Sequence, residues 1–178
     1  IAVGIAQPTE LWNTSWGEVT SVSHGIDTFN ESIYVAGYTN LGGGSYNILL
    51  IKFNDSGQHE WNTSWGDDAD DDRGYDVAVD DDGYIYVTGY HEASGGNDDL
   101  VVIKYNSSGQ QEWNTTYDDS PGSGFNDVAY GITVTDDYIY VTGSMEQYDD
   151  MKLIKYNKSG QQEWNTTWGG GTTVDDYG

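Results

Sequence analysis

Tyr105-Asn106-Ser107-Ser108-Gly109-Gln110-Gln111-Glu112-Trp113-Asn114-Thr115-Thr116 is a stretch that the chain writes repeatedly. It returns at 156–167, with Lys158 in place of Ser107, and stands earlier at 53–64. A partial copy, Glu10-Leu11-Trp12-Asn13-Thr14-Ser15-Trp16-Gly17, lies near the start. Trp12, Trp61, Trp113 and Trp164 are spaced 49, 52 and 51 residues apart. A period of about 40–50 residues with one aromatic anchor per unit signals a propeller or another repeat array.

The unit at 67–117 is the clearest. Tyr75-Asp76-Val77-Ala78-Val79 is a short β-rich run, and Asp80-Asp81-Asp82-Gly83 is a turn of the Asp-Gly kind that favours tight hairpins. Tyr84-Ile85-Tyr86-Val87-Thr88-Gly89-Tyr90 places Ile85 and Val87 on one face and Tyr84, Tyr86 and Thr88 on the other. Leu100-Val101-Val102-Ile103-Lys104-Tyr105 is apolar on both faces, and the quoted stretch supplies a turn and a fourth strand. Four antiparallel strands joined by short turns make one propeller blade. Strands apolar on both faces must be covered on both, as they are when blades stack. Units at 18–66 and 118–168 repeat the scheme, and no amphipathic helix interrupts it. The expected fold is all-β: β-propeller blades of four antiparallel strands. Three are complete, flanked by an N-terminal outer strand (1–17) that completes a neighbouring blade and a C-terminal partial blade (169–178), the start of a further blade or a connection.

Charge narrows the partners. Thirty acids against six bases leave a formal charge of −24, yet 15 Tyr and 7 Trp argue for a folded protein with an acidic skin. Aspartate favours turns over helices, which places the charge in loops. Such a field repels nucleic acid and attracts cations or basic partners. Without cysteine there are no disulfides, thiolate chemistry or Cys-based zinc sites. No stretch approaches the roughly 20 apolar residues of a membrane-spanning helix.

One family resemblance is specific. Trp65-Gly66, an Asp/Gly-rich loop, Val77-Ala78-Val79-Asp80, Gly83-Tyr84-Ile85-Tyr86-Val87-Thr88-Gly89, and Ile103-Lys104-Tyr105-Asn106-x-Ser108-Gly109-x-x-x-Trp113 together resemble the SBBP-type β-propeller repeat. The likeness covers essentially residues 9–178. It implies the fold and a surface or secreted setting in archaea or bacteria; the family has no shared active site, so it implies little about activity. The turn and tryptophan are also distantly similar to quinoprotein propellers, but the groups that hold quinone and calcium there are not visible here.

The ends carry an expectation of their own. Tyr177-Gly178 followed by Ile1-Ala2-Val3 of another copy reads like the continuous Tyr130-Gly131-Ile132-Thr133-Val134. Closed propellers hold roughly four to eight blades. The chain is therefore expected to be part of a longer tandem array, or to associate with itself head to tail by strand exchange.

Chemistry-bearing residues are few. Asp68, Asp70 and Asp72, followed by Gly74, form a D-x-D-x-D-x-G run that could wrap calcium; Arg73 interrupts the EF-hand spacing, and a solvated acidic loop is the competing reading. No other cofactor is required. Asn-x-Ser/Thr occurs at Asn13, Asn30, Asn54, Asn62, Asn106, Asn114, Asn157 and Asn165, an excess for a chain with 12 asparagines. Turn and strand preferences explain part of it; in a secreted protein these sites accept N-glycans. His24, His59 and His91 occupy unrelated places in the repeat, which argues against a shared metal site. Acid pairs such as Asp98-Asp99 and Asp136-Asp137 fit hairpin turns better than paired-carboxylate catalysis, and no nucleophile-elbow motif is present. The expected function is non-catalytic: an extracellular structural repeat module of a cell-surface layer, appendage or filament, its partner another copy or blade. The alternative is a propeller that binds glycans or surface proteins through its loops.

Overall fold

The computed structural model describes residues 20–40, 42–67, 69–93, 96–119, 121, 124–145 and 150–169. Among them are twelve strands in three four-stranded antiparallel sheets, with no helix. Blade 1 holds β1 (Ser21–Phe29), β2 (Ser32–Thr39), β3 (Asn47–Asn54) and β4 (His59–Trp65). Blade 2 holds β5 (Asp72–Val79), β6 (Ile85–Ala93), β7 (Asn97–Tyr105) and β8 (Gln111–Tyr117). Blade 3 holds β9 (Asp127–Val134), β10 (Tyr138–Met145), β11 (Asp150–Asn157) and β12 (Gln162–Trp168). Each is a simple meander, and the three do not close into a ring. The partial copy around Trp12 and the segment from 170 onward lie outside the described residues.

The repeated turn is built by its asparagine. Asn106 Oδ1 accepts the Ser108 and Gln110 N–H groups, both at 3.1 Å, and Asn157 and Asn54 do the same in the other blades. Gly57, Gly109 and Gly160 follow at φ 72°, 78° and 81°, a region that only glycine enters without strain.

Each innermost strand carries a bulge. The β1–β2, β5–β6 and β9–β10 registers skip His24, Tyr75 and Tyr130 respectively. The bulge pushes a carbonyl toward the neighbouring strand, where Gly37, Gly89 and Gly143 stand. A methyl group on Gly89 would lie 2.8 Å from the carbonyl carbon of Arg73 and closer still to its oxygen. Val22 and Val128 fill the same space at Gly37 and Gly143. The Val-Thr-Gly and Val-Ala-Gly endings of β2, β6 and β10 thus answer the bulge.

Blades pack face to face, as two-sided apolar strands require. Tyr34, Ala36, Ile48 and Leu50 of blade 1 form one core with Val77, Ile85, Val101 and Ile103 of blade 2. Leu100, Val102 and Tyr86 do the same with Ile139, Val141 and Ile154 of blade 3. Burying each such Val, Leu or Ile side chain stabilises by about 1.5–3 kcal/mol. Between the outer strands the tryptophans act as wedges. Trp61 lies against Gly109 of the next blade, and Trp113 against Gly160, so close that a glycine Cβ would come within 2.9 and 3.0 Å of the indoles. The Trp113 indole N–H also donates to the Lys158 carbonyl at 3.3 Å.

All six basic side chains are committed internally. Lys52 and Lys104 pair with Glu60 and Glu112, and Lys155 lies 3.2 Å from the centre of the Tyr138 ring. Lys152 pairs with Asp119, Lys158 with Asp80, and Arg73 with Asp71. The charge left facing solvent is acidic.

Candidate functional site

Three places stand out: a row of rings along the innermost strands, the blade junctions, and the free face of blade 3. The row is made by the bulge residues. His24, Tyr75 and Tyr130 lie one per blade, with ring centres 5.0 and 5.4 Å apart. Beside them the Arg73 guanidinium sits 5.1, 4.9 and 6.0 Å from the rings of Tyr38, Tyr46 and Tyr90. Cation–π attraction and the 3.0 Å contact with Asp71 hold it there. Tyr130 is 55% exposed, so the row ends in an open ring. The sequence contained a signal for this row: Tyr75 and Tyr130 fall at one place in the repeat, and His24 shares it once the bulges are aligned.

At the junctions, acids that open one blade meet the loops of the blade before. Asp72 is fully buried and its Oδ1 lies 2.6 Å from His91 Nδ1. Burial pushes the Asp72 carboxyl up; His91 pulls against it. Asp127, its counterpart in blade 3, accepts the Asp119 N–H at 2.5 Å. Burial, with the Asp119, Asp118 and Asp99 carboxylates adding, pushes Asp127 up to about 6 against that N–H.

This arrangement sets a pH dependence. Folded Asp127 holds its proton more tightly than the unfolded chain does. Its ionisation therefore destabilises the fold above about pH 6, and stability returns as pH falls toward 4. Asp80 and Asp119 behave oppositely: burial raises both, but Lys158 and Lys152 with their hydrogen bonds outweigh it and hold both carboxyls low. Their contribution is present above the ordinary carboxylate range and lost below it. Thermal unfolding should thus show a Tm that rises as pH falls from about 6 to about 4 and drops below about 3.5. Asp127→Asn should remove much of the rise, on the order of 2 kcal/mol; an unchanged profile would refute the assignment.

The free face of blade 3 repeats the face with which blades 1 and 2 hold their successors. Met151 and Leu153 occupy the register places of Leu100 and Val102, and of Ile48 and Leu50. Trp164 meets Tyr140 at 6.3 Å, as Trp61 meets Tyr34 and Trp113 meets Tyr86.

The family model described as a β-propeller repeat, SBBP, matches residues 65–90. The chain carries an SBBP-type β-propeller repeat. The matched stretch runs from Trp65 to Tyr90, so it contains the Tyr75 bulge and the Gly89 that faces it. No curated protein matches the chain.

The sites expected from sequence separate around this frame of blades. Of the calcium run, Asp72 turns into the junction with His91, the Asp70 N–H reaches Asp67 Oδ1 at 3.3 Å, and Asp68 lies outside the described residues. Among the described residues no three acidic or histidine side chains gather as a metal-holding group. The asparagines form two classes. Asn54, Asn106 and Asn157 use their side chains inside the turn, whereas Asn62, Asn114 and Asn165 stand exposed on the outermost strands β4, β8 and β12. Asn30 is exposed in the β1–β2 turn, and Asn13 lies outside the described residues. No helix among the described residues is long and apolar enough to cross a membrane, which says nothing of a β-barrel.

Proposed function

We propose that this chain is a non-catalytic structural repeat module outside the cell, part of a surface layer, appendage or filament, that assembles by stacking blade on blade. One observation carries the reading. Leu100, Val102, Ile48 and Leu50 are all 0% exposed at the two internal junctions, whereas Met151 and Leu153, in the same places, are 52% and 37% exposed. Trp164 is 41% exposed, and among the described residues no turn glycine packs on it. The face is shaped for another blade of this repeat, from a second copy or from further along a tandem array. Blade 1 offers a complementary apolar surface with Ile26, Ile33 and Val35 around a cavity of about 310 Å³.

Light scattering over a range of concentrations tests the self-association. The native chain should form species heavier than 19.6 kDa, and micrographs should show rings or fibres. Leu153→Asp with Trp164→Ser should return it to that mass. A native chain that stays monomeric at high concentration would overturn this part of the reading.

The extracellular setting is supported by the sequons and by the resemblance to surface and secreted repeats. If it is right, peptide mass spectrometry of native material should find glycans on Asn62, Asn114 and Asn165. Asn54, Asn106 and Asn157 should be bare, because a glycan on the amide nitrogen competes with the bonds that tie Asn54 and Asn106 to Gln58 and Gln110. Uniform occupancy of both classes would reject the sorting.

A second reading, recognition of glycans or surface proteins, is favoured by the ring row with its open end at Tyr130. Loss of binding on a glycan array after Tyr130→Ala would support it, and an array without hits would leave the structural role.

A further inference from the structure

Neighbouring blades pack along their innermost strands, β1 on β5 and β5 on β9, while the outermost strands β4 and β8 stand apart. Trp61 closes one end of the cleft between them, against Gly109. The other end is an open groove of about 600 Å³, lined by Trp65, Asp67, His91, Asp99, Asn114 and Thr116. Register sets which side chains face one another. Asn114 and Thr116 pair with Ile103 and Val101, which pack on blade 1, so both point back toward that blade. Trp65 pairs with Ile48, which packs on blade 2, so its indole points forward to meet them. Both ends of the Asn114-Thr115-Thr116 sequon thus lie in one groove, with an indole on the opposite wall.

The next junction supplies an internal comparison, because there the protein covers the ring itself. Tyr117 pairs with Leu100 as Trp65 pairs with Ile48, and Asn165 pairs with Ile154 as Asn114 pairs with Ile103. Lys152, 4% exposed, holds its ammonium 5.2 Å from the centre of the Tyr117 ring, and the Tyr117 hydroxyl donates to Asp119 Oδ1 at 2.6 Å. Lys152 pairs with Gly143 as Val101 pairs with Gly89, so the counterpart beside Trp65 is a short aliphatic side chain. Trp65 meets His91 at right angles, ring centres 5.4 Å apart, and stays only half-buried.

We propose that a neutral glycan linked to Asn114 lies in this groove, its first sugar stacked on the Trp65 indole and wedged between blades 1 and 2. The C–H face of a pyranose is apolar and weakly positive, which suits the electron-rich face of an indole. Sugar hydroxyls can donate to the Asp67 and Asp99 carboxylates. Those carboxylates repel an acidic sugar, and His91 is already paired with Asp72. The linkage uses a pyrophosphate-activated sugar. Asn114 Nδ2 bonds to the anomeric carbon, the C–O bond to pyrophosphate breaks with its electron pair, and the amide gives up one proton. The sugar then does for Trp65 what Lys152 does for Tyr117. Such a wedge rests on the extracellular glycosylation proposed above and is independent of blade-on-blade assembly. The competing arrangement has the glycan pointing into solvent and Trp65 facing water.

The test is hydroxyl-radical footprinting of the native full chain, read by peptide mass spectrometry, which reports the Asn114 glycan and Trp65 oxidation together. Asn114 should be occupied and Trp65 protected. Asn114→Gln and Thr116→Ala each abolish the sequon at an exposed position, and each should raise Trp65 oxidation several-fold. The native sequence made in a host without N-glycosylation should match them. Removing the glycan through two different side chains separates loss of the sugar from disturbance of the groove. Asn165→Gln should leave Trp65 unchanged, and Trp168, 66% exposed, reports the radical dose. An occupied Asn114 with Trp65 oxidised equally in all of these forms would overturn the wedge and leave the glycosylation standing. A bare Asn114 beside occupied Asn62 and Asn165 would do the same. No glycan on any of the three would overturn the wedge together with the glycosylation it rests on.

Discussion

Gly89→Ala is expected to destabilise the fold by about 3 kcal/mol or more, one of the largest single effects in the chain. The cause is backbone against backbone. The bulge at Tyr75 drives the Arg73 carbonyl into the space a Cβ would take, and Gly74 Cα stands 2.9 Å away on the same side. A side chain can turn aside; a carbonyl fixed in a ladder cannot without undoing the bulge. Undoing it would shift the first part of β5 by one residue and turn Asp72 and Arg73 to opposite faces. Urea unfolding should show a lower midpoint for Gly89→Ala and, by the same geometry, for Gly37→Ala and Gly143→Ala. Gly131→Ala is the control: its nearest neighbour is the Thr142 methyl at 3.1 Å, which can give, so it should change stability by less than about 1 kcal/mol. Equal losses at Gly89 and Gly131 would show that strand glycines matter here for another reason.

Trp113→Ala should cost about 3 kcal/mol, the low end for a buried tryptophan because the ring keeps an outer edge. The ring fills the wedge between blades 2 and 3, packs on Gly160 and donates its N–H to Lys158. Its loss falls on an interface, so the consequence is more than a lower midpoint. Repeat arrays draw their stability from intrinsic blade terms and nearest-neighbour terms, and weakening one neighbour term uncouples the units. Hydrogen exchange should show blade 3 opening ahead of blades 1 and 2 in this variant. The Lys158–Asp80 ion pair, which joins the same two blades at 2.9 Å, limits the damage. Trp164→Ala, the same change at a half-exposed ring, should cost under about 1 kcal/mol in the dilute chain. A Trp164→Ala loss as large as that of Trp113→Ala would mean that Trp164 is buried in the molecule as it exists in solution.

The two substitutions mark what could be read in advance and what could not. The tryptophan was legible because it recurs at one period and follows a turn whose asparagine and glycine have local tasks. Its role as a wedge followed from strands apolar on both faces. The importance of Gly89 was not legible, although the residue was in view. Its reason is a register slip in another strand, and a bulge leaves only a faint trace in a run such as Tyr75-Asp76-Val77-Ala78-Val79. The ring row was missed for the same reason. His24 differs in type from Tyr75 and Tyr130, and its equivalence to them shows only in the skipped positions of the registers.

The outward sites divide in the same way. The turn asparagines and outer-strand asparagines carry the same tripeptide, and only the hydrogen bonds of Asn106 set it apart from exposed Asn114.

Period, strand alternation and turn chemistry are local properties, written within about ten residues of one another. From them the sequence alone determined the all-β class, the four-stranded unit and the stacking of units through apolar faces. Which polar groups meet when those faces close is a different kind of information. Asn47, Gly66 and Asp72 belong to a strand, a loop and a strand of two blades. They come together only because the sheets stack at one angle and one offset. Tertiary structure alone decided that Asn47 and Asp72 would both lie against Gly66, while Lys152 meets Asp119 at the next junction.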